Sequence, residues 1–342
     1  MCMIQQLKLK KIVFPLIVIV LLLIIITGLG IGSRQRHNTF KMLIVGDSIG
    51  EGAGASGPSL KWYKYLAPYM KEAYGIKLDI TNVSMGGNSS YAGYARVMEL
   101  DEGEDYDLAV ICYGENDQIE DFSFYYESIL KAVQDKYPAC KLMTILESSQ
   151  RDYTEKIKII ETLSAYYGAY VVDTIAAFRD SGRTYEELCD DGTHPNDEGQ
   201  KVYYETVKEQ LDIFLKQKDV SAVPVQKPYD LEVVNYTDFK YYSTDDFQKA
   251  GEYACELEMS IPAGRLGIDY TTVKGVNLIT VYADGQKISE KEIGWDNDLS
   301  LRFIEVMSDK CKVDSKIRIE FSSPEQMEAF HGIIVNRYEE LE

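Results

Sequence analysis

Five short apolar runs, each leading into a stretch with helical spacing, constrain this chain more than any other feature. The runs cover 40–46, 77–83, 107–113, 141–146 and 169–173. Between and after them, apolar residues recur at helical intervals over 59–74, 90–99, 121–136, 151–167 and 197–216. Strands alternating with helices in this way form a parallel sheet covered on both faces. The expected fold is therefore α/β, a flavodoxin-like three-layer sandwich around a five-stranded parallel sheet. Such sheets bind ligands in the crevice beyond the carboxyl ends of their strands.

The 342 residues exceed one domain of that kind. Residues 217–230 contain two prolines and no helical period, which predicts a linker after a 40–216 domain. Alternating stretches then appear at 252–261, 266–271, 276–283, 299–306, 315–321 and 331–337, punctuated by Asp284-Gly285 and Ser323-Pro324. This pattern predicts a β-sandwich over 231–342.

At the other end, residues 12–31 carry no charge and reach the roughly 20 residues that span a bilayer. Lys8, Lys10 and Lys11 precede the run, which places the amino terminus in the cytoplasm. The expectation is a cytoplasmic tail and transmembrane anchor over 1–32, a linker over 33–39, and a domain outside the cytoplasm. A cleaved signal peptide, with Gly28 and Gly30 near the cut, is the competing reading.

A net charge of −19 argues against nucleic acid as a partner, because little here would displace counterions from phosphates. Cys2 apart, the chain has Cys112, Cys140, Cys189, Cys255 and Cys311, an odd number with no CxxC pair, so no disulfide framework is expected. The acidic run Glu99, Asp101, Glu102, Glu104, Asp105 and Asp107 lacks the spacing of a calcium loop and reads as a solvated segment. No metal or phosphate-loop motif is present, and no cofactor is expected.

Four stretches fall at the carboxyl ends of the predicted strands: Gly46-Asp47-Ser48, Asn82 to Ser89, Gly114-Glu115-Asn116-Asp117, and Asp191 to Asn196. A serine hydroxyl needs a base before it attacks anything. Of the three histidines, His37 precedes the α/β domain and His331 follows it, so only His194 can serve Ser48. Asp191, three residues before His194, can fix the imidazole tautomer, with Asp190 as its competitor. An oxyanion formed on an acyl carbon would find donors in the Ser48 N–H, the Gly87 N–H and the Asn116 amide.

These four stretches resemble the blocks of the SGNH hydrolases, or GDSL-type esterases. Ser48 matches the block-one serine, with Ile49 where the family name has leucine. Gly87 matches an Asn-x-x-x-x-Gly-x-Ser block, Asn116 a Gly-x-Asn-Asp block, and Asp191 with His194 the Asp-x-x-His block. One departure is Ser84, where members often carry glycine, and an altered pocket rim is expected from it. The resemblance spans about 40–216 and implies catalytic Ser48, Asp191 and His194 with an oxyanion hole of Ser48, Gly87 and Asn116.

The expected function is extracytoplasmic removal of short acyl groups, most of all acetyl, from carbohydrate. Acyl transfer to a sugar hydroxyl would use the same machinery and stays open, as do a lysophospholipase-like activity and a non-catalytic glycan-binding role. Strand 1 spans about 23 Å and the 33–39 linker roughly 25 Å when extended. The tether enters at Phe40, so the Ser48 edge is expected to face away from the membrane. Trp62 and Tyr63 read as aromatics packed on the sheet. Trp295 reads as core, with sugar stacking as the rival. Asn82, Asn88 and Asn235 stand in glycosylation-like triplets read as coincidence.

Overall fold

A computed structural model of the protein describes residues 39–216, 235–296 and 298–339. The expected anchor over 1–32, most of the 33–39 linker and the 217–230 linker lie outside them. Among the described residues no helix is long and apolar enough to cross a membrane.

The α/β part contains β1 (Thr39–Gly46), β2 (Lys77–Asn82), β3 (Leu108–Cys112), β4 (Lys141–Leu146) and β5 (Tyr170–Asp173). All pair in parallel, in the order β2-β1-β3-β4-β5, which is the flavodoxin-like order. The alternation along each strand sorts side chains to opposite faces. Leu43, Val45, Ala109 and Ile111 meet α3 (Ser90–Glu99), α4 (Ile119–Lys136) and α5 (Glu155–Tyr167) on one face. Met42, Ile44, Val110 and Ile145 meet α2 (Leu66–Tyr74) and α8 (Asp197–Lys216) on the other. Each fully buried side chain of this kind stabilises the fold by about 1.5–3 kcal/mol.

The expected helix over 59–74 is helical in the α sense only from Leu66; 3-10 turns at Pro58–Leu60 and Trp62–Tyr65 precede it. The cause is Trp62, whose indole donates to the Ile49 carbonyl at 3.1 Å and whose backbone N–H is held by Gln200 Oε1 at 2.8 Å. Trp62 and Tyr63 are buried, as expected of them. Two short helices, α6 (Thr174–Asp180) and α7 (Tyr185–Leu188), were not predicted, being too short to show a period. The short α1 (Ser48–Glu51) follows β1 directly.

The carboxyl-terminal part holds β6 (Asn235–Ser243), β7 (Gln248–Lys249), β8 (Ala254–Glu258), β9 (Ile261–Thr271), β10 (Gly275–Ala283), β11 (Gln286–Trp295), β12 (Arg302–Val313), β13 (Lys316–Phe321), α9 (Pro324–Glu328) and β14 (Phe330–Glu339). They form antiparallel sheets β11-β10-β13-β8-β7 and β12-β9-β14-β6. One core draws on both, with Leu257, Val281 and Ile319 from the first and Leu266, Ile268 and Ile333 from the second. The sequence pattern missed β11 because it is an edge strand studded with charge, with Ile293 its one fully buried side chain.

The four-stranded sheet packs on helices of the α/β part. Tyr91, Ala92 and Ala95 of α3 and Tyr125 of α4 form a buried cluster with Ile304 and Ile334. The Arg265 guanidinium lies over the rings of Tyr125 and Phe124, at 4.8 and 5.2 Å. The five cysteines of the described residues are free and buried. In the acidic run, Glu104 pairs with Lys41 at 2.8 Å, Glu99 pairs with Arg96, and Asp107 accepts the Lys41 N–H.

Candidate active site

β1 ends at Gly46, and Asp47 then caps α1 by accepting the Ile49 N–H at 2.8 Å. This turn places Ser48 at the carboxyl edge of the sheet. The loop before α8 brings His194 to it, with Nε2 2.9 Å from Ser48 Oγ. The other ring nitrogen, Nδ1, lies 2.6 Å from Asp191 Oδ2. Asp191 Oδ1 also accepts the backbone N–H groups of His194 and Thr193, at 2.8 and 2.9 Å. Partial burial pushes the Asp191 carboxyl up, but the imidazole and the two N–H bonds outweigh it and hold it at about 2. Asp190 is engaged elsewhere, accepting from Asn196 at 2.5 Å. Gly54 makes the approach of His194 feasible: with φ at +86°, a Cβ there would sit 2.4 Å from the Pro195 carbonyl and 2.9 Å from His194 Cβ.

The expected oxyanion donors converge on the same edge. The loop leaving β2 is stitched to β1 by Met85 N–H to Gly46 O at 2.9 Å. A Cβ built on Gly86 would lie 3.7 Å from Ser48 Cβ, so this loop rests against the serine. Gly87 follows in the left-handed region, φ +75°. The backbone N–H groups of Ser48 and Gly87 find no acceptor among the described residues. Asn116 Nδ2 reaches Asn88 O at 3.1 Å and Asp47 Oδ2 at 3.3 Å, which aims the amide across the top of the serine turn.

Ser84 does not shape the rim. Its hydroxyl is buried, 2.8 Å from where a Gly50 Cβ would stand and 3.1 Å from a Gly46 one. Asn82 and Asn88 are structural ties. Asn82 Nδ2 donates to Gly50 O at 3.0 Å. Asn88 donates to Gly86 O and Arg302 O, at 3.0 and 2.8 Å, and accepts the Ile304 N–H at 2.9 Å. The Asn235 side chain and His37 lie outside the described residues. His331 sits in the β-sheets, 2.6 Å from Thr271 Oγ1.

Those Asn88 bonds carry β12 to the oxyanion loop, a contribution no local pattern announced. Phe303 Cζ lies 2.9 Å from the position of a Gly87 Cβ, with Leu301 Cδ1 at 3.9 Å. Trp295 meets the Phe303 ring edge-on, centroids 6.1 Å apart, and its indole donates to Leu299 O at 2.5 Å. Trp295 is half-buried and Leu299 is exposed, so this tryptophan stands at the rim and not in the core.

The floor beneath the serine is acidic. Asp47 and Glu147, each fully buried, lie close enough for each to feel the other's charge. Glu147 also accepts from Cys112 Sγ at 3.2 Å and from the Glu115 N–H at 3.0 Å. The nearby Lys156 ammonium is engaged by the carbonyls of Gly114, Glu115 and Asp117. Burial pushes the Asp47 carboxyl up to about 8 and raises Glu147 as well, with Asp117 and Glu115 adding repulsion. The pair therefore keeps a proton at neutral pH.

This pair makes stability depend on pH. Unfolded, both carboxyls ionise in the ordinary range near 4, whereas folded Asp47 holds its proton to about 8. Between those limits the native state binds more protons, and each rise in pH costs stability. Thermal unfolding should therefore show Tm falling from about pH 5 to about pH 8. Glu147→Gln, which removes one charge from the pair, should flatten that slope; an unchanged slope would mean the pair is ionised throughout.

A family model described as the GDSL-like lipase/acylhydrolase family matches residues 44–202, the segment that carries Ser48, Gly87, Asn116, Asp191 and His194. Residues 44–202 are a domain of that family. The SGNH domain is thus one of carboxylic ester hydrolases. None of the curated proteins matches the chain. Among solved structures, the chain is similar to a two-domain esterase (CEX) active on acetylated mannans, with 16% identity and a TM-score of 0.67. That match covers 89% of this chain and 92% of the other. The same esterase co-crystallised with mannopentaose matches at a TM-score of 0.66 and 14% identity. The likeness extends over both the parallel sheet and the antiparallel sheets, and at that identity it speaks to fold.

Proposed function

We propose that the SGNH domain removes short acyl groups, most of all acetyl, from carbohydrate through an acyl-serine intermediate. The observation that carries this reading is the unbroken relay from Asp191 through His194 to Ser48, 2.6 and 2.9 Å per link. Neutral His194 takes the Ser48 proton at Nε2 as Oγ attacks the ester carbonyl, while Asp191 holds Nδ1–H and stabilises the imidazolium. The Ser48, Gly87 and Asn116 donors receive the charge that develops on the carbonyl oxygen. His194 then gives that proton to the sugar oxygen as its bond to the acyl carbon breaks, leaving the acyl-serine. Water, deprotonated by the same nitrogen, releases the acid and restores Ser48.

Two features support a short acyl group on a sugar. Phe303 and Leu301 crowd the oxyanion glycine, which narrows the space for a long chain. Trp295 offers a half-exposed ring at the rim, in a β-sandwich accessory domain of the kind seen in an esterase active on acetylated mannans. Acetate should be released from acetylated manno-oligosaccharides faster than fatty acid from phospholipid at matched concentration. A clear preference for long-chain lipid esters would sink the carbohydrate reading.

The placement proposed for this activity is the outer face of a membrane, through the uncharged run at 12–31. The full chain should stay with membranes through alkaline carbonate extraction. Recovery of a soluble species beginning near Ile31 would replace the anchor by a signal peptide.

A further inference from the structure

Residues 39–216 contain four arginines, Arg96, Arg151, Arg179 and Arg183, and three of them line one cavity. The cavity, about 230 Å³, lies between the residues that follow β4 and the α6–α7 segment after β5. Its lining residues therefore follow the same carboxyl edge of the sheet that carries Ser48. Its apolar wall comes from Ile175, Phe178 and Tyr185. Arg151 occupies the left-handed region, φ +58°, a conformation that side chains other than glycine adopt at a cost. That backbone lets its guanidinium stack on the Tyr185 ring at 4.2 Å and donate to Gly192 O at 3.1 Å, two residues before His194.

The three guanidinium groups are only loosely neutralised. Arg179 pairs with Asp152 at 3.0 Å, Arg183 with Glu198 at 2.9 Å, and Arg151 lies 4.0 Å from Glu186. All three arginines are about half exposed and their acidic partners are exposed as well, and exposed pairs of this kind contribute little. Each guanidinium presents five N–H donors in a planar fork, and most of these remain unengaged. Three guanidinium forks lining one cavity with an apolar wall are suited to a planar or tetrahedral oxyanion carried on a sugar ring. The −19 charge of the chain repels polyanions at a distance, but screening confines that repulsion to about 8 Å at physiological salt. The cavity then acts at contact, on one group.

We propose that this cavity binds a carboxylate or phosphate borne by the glycan near the ester that Ser48 attacks, a placement that rests on the esterase reading above. The substrate class becomes an acylated acidic glycan, with Arg179 and Arg183 selecting the anion. Arg151 would connect the bound anion to the Asp191–His194 loop through Gly192.

Calorimetry on the full-length Ser48→Ala chain tests this without hydrolysis. Trigalacturonate supplies a sugar carboxylate, glycerol 1-phosphate a phosphate, and mannotriose a neutral control. At least one anionic probe should bind about tenfold or more tighter than mannotriose, since hydrogen bonds to charged groups are worth that much. Its affinity should fall with added salt, and Arg179→Gln with Arg183→Gln in the same background should remove the preference. Which probe wins identifies the anion. Equal binding of all three probes, or a preference that survives the double substitution, would overturn the proposal. Wild-type turnover of p-nitrophenyl acetate reads the esterase assignment separately: no turnover beside intact anion binding would remove that assignment and leave the cavity.

Discussion

Ser48→Ala and His194→Ala are each expected to lower kcat for ester hydrolysis by on the order of 10⁴-fold or more, as removal of a member of a relay that acts as one unit does. The geometry leaves no substitute. Ser84 presents its hydroxyl to the buried side of the turn. The Cys112 thiol is fully buried, and burial pushes its ionisation well up, away from any thiolate chemistry. Among the described residues no second imidazole serves the edge, because His331 lies in the antiparallel sheets against Thr271. Both variants should fold, since Ser48 and His194 add little to either core. Unchanged circular dichroism with activity gone is the expected pair of readings; a variant of Ser48 that keeps full turnover would end the serine-hydrolase mechanism.

Asn116→Ala should cost about 10²–10³ in kcat with KM little changed, the usual loss for one oxyanion-hole donor. The amide is aimed by Asn88 O and Asp47 Oδ2, and it meets full negative charge only as the carbonyl rehybridises. Its effect therefore belongs to the transition state and not to substrate binding. Asn116→Asp should do worse, because it exchanges the donor for an anion above an already acidic floor of Asp47 and Glu147. Steady-state kinetics on a chromogenic acetate ester separates the cases. A rise in KM at constant kcat would place Asn116 in ground-state binding.

The parallel sheet was legible because each of its strands is a run of apolar residues at the spacing the fold requires, and the order 2-1-3-4-5 followed from the helices between them. Ser48, Asp191 and His194 were legible because their chemistry is tied to short motifs and only one histidine was available. What escaped was long-range. Phe303 reaches Gly87, and Asn88 ties to Arg302 and Ile304, across more than two hundred residues of sequence. Glu147 looked like any residue at a strand end until Asp47 was placed beside it. Arg151, Arg179 and Arg183 are separate in the sequence and meet only when the α6–α7 segment folds against the end of β4. Edge strands such as β11 were missed for a local reason: charge and exposure on both of its faces remove the alternation by which half-buried strands are recognised.

The central claim is that Ser48 is the residue acylated. Treatment of the full chain with a serine-directed phosphonate, followed by intact mass and peptide mapping, tests it most directly. The expected result is a single adduct on Ser48, formed far more slowly in His194→Ala and absent in Ser48→Ala, with activity lost in step with labelling. An adduct on another residue, or full activity in the fully labelled protein, would contradict it.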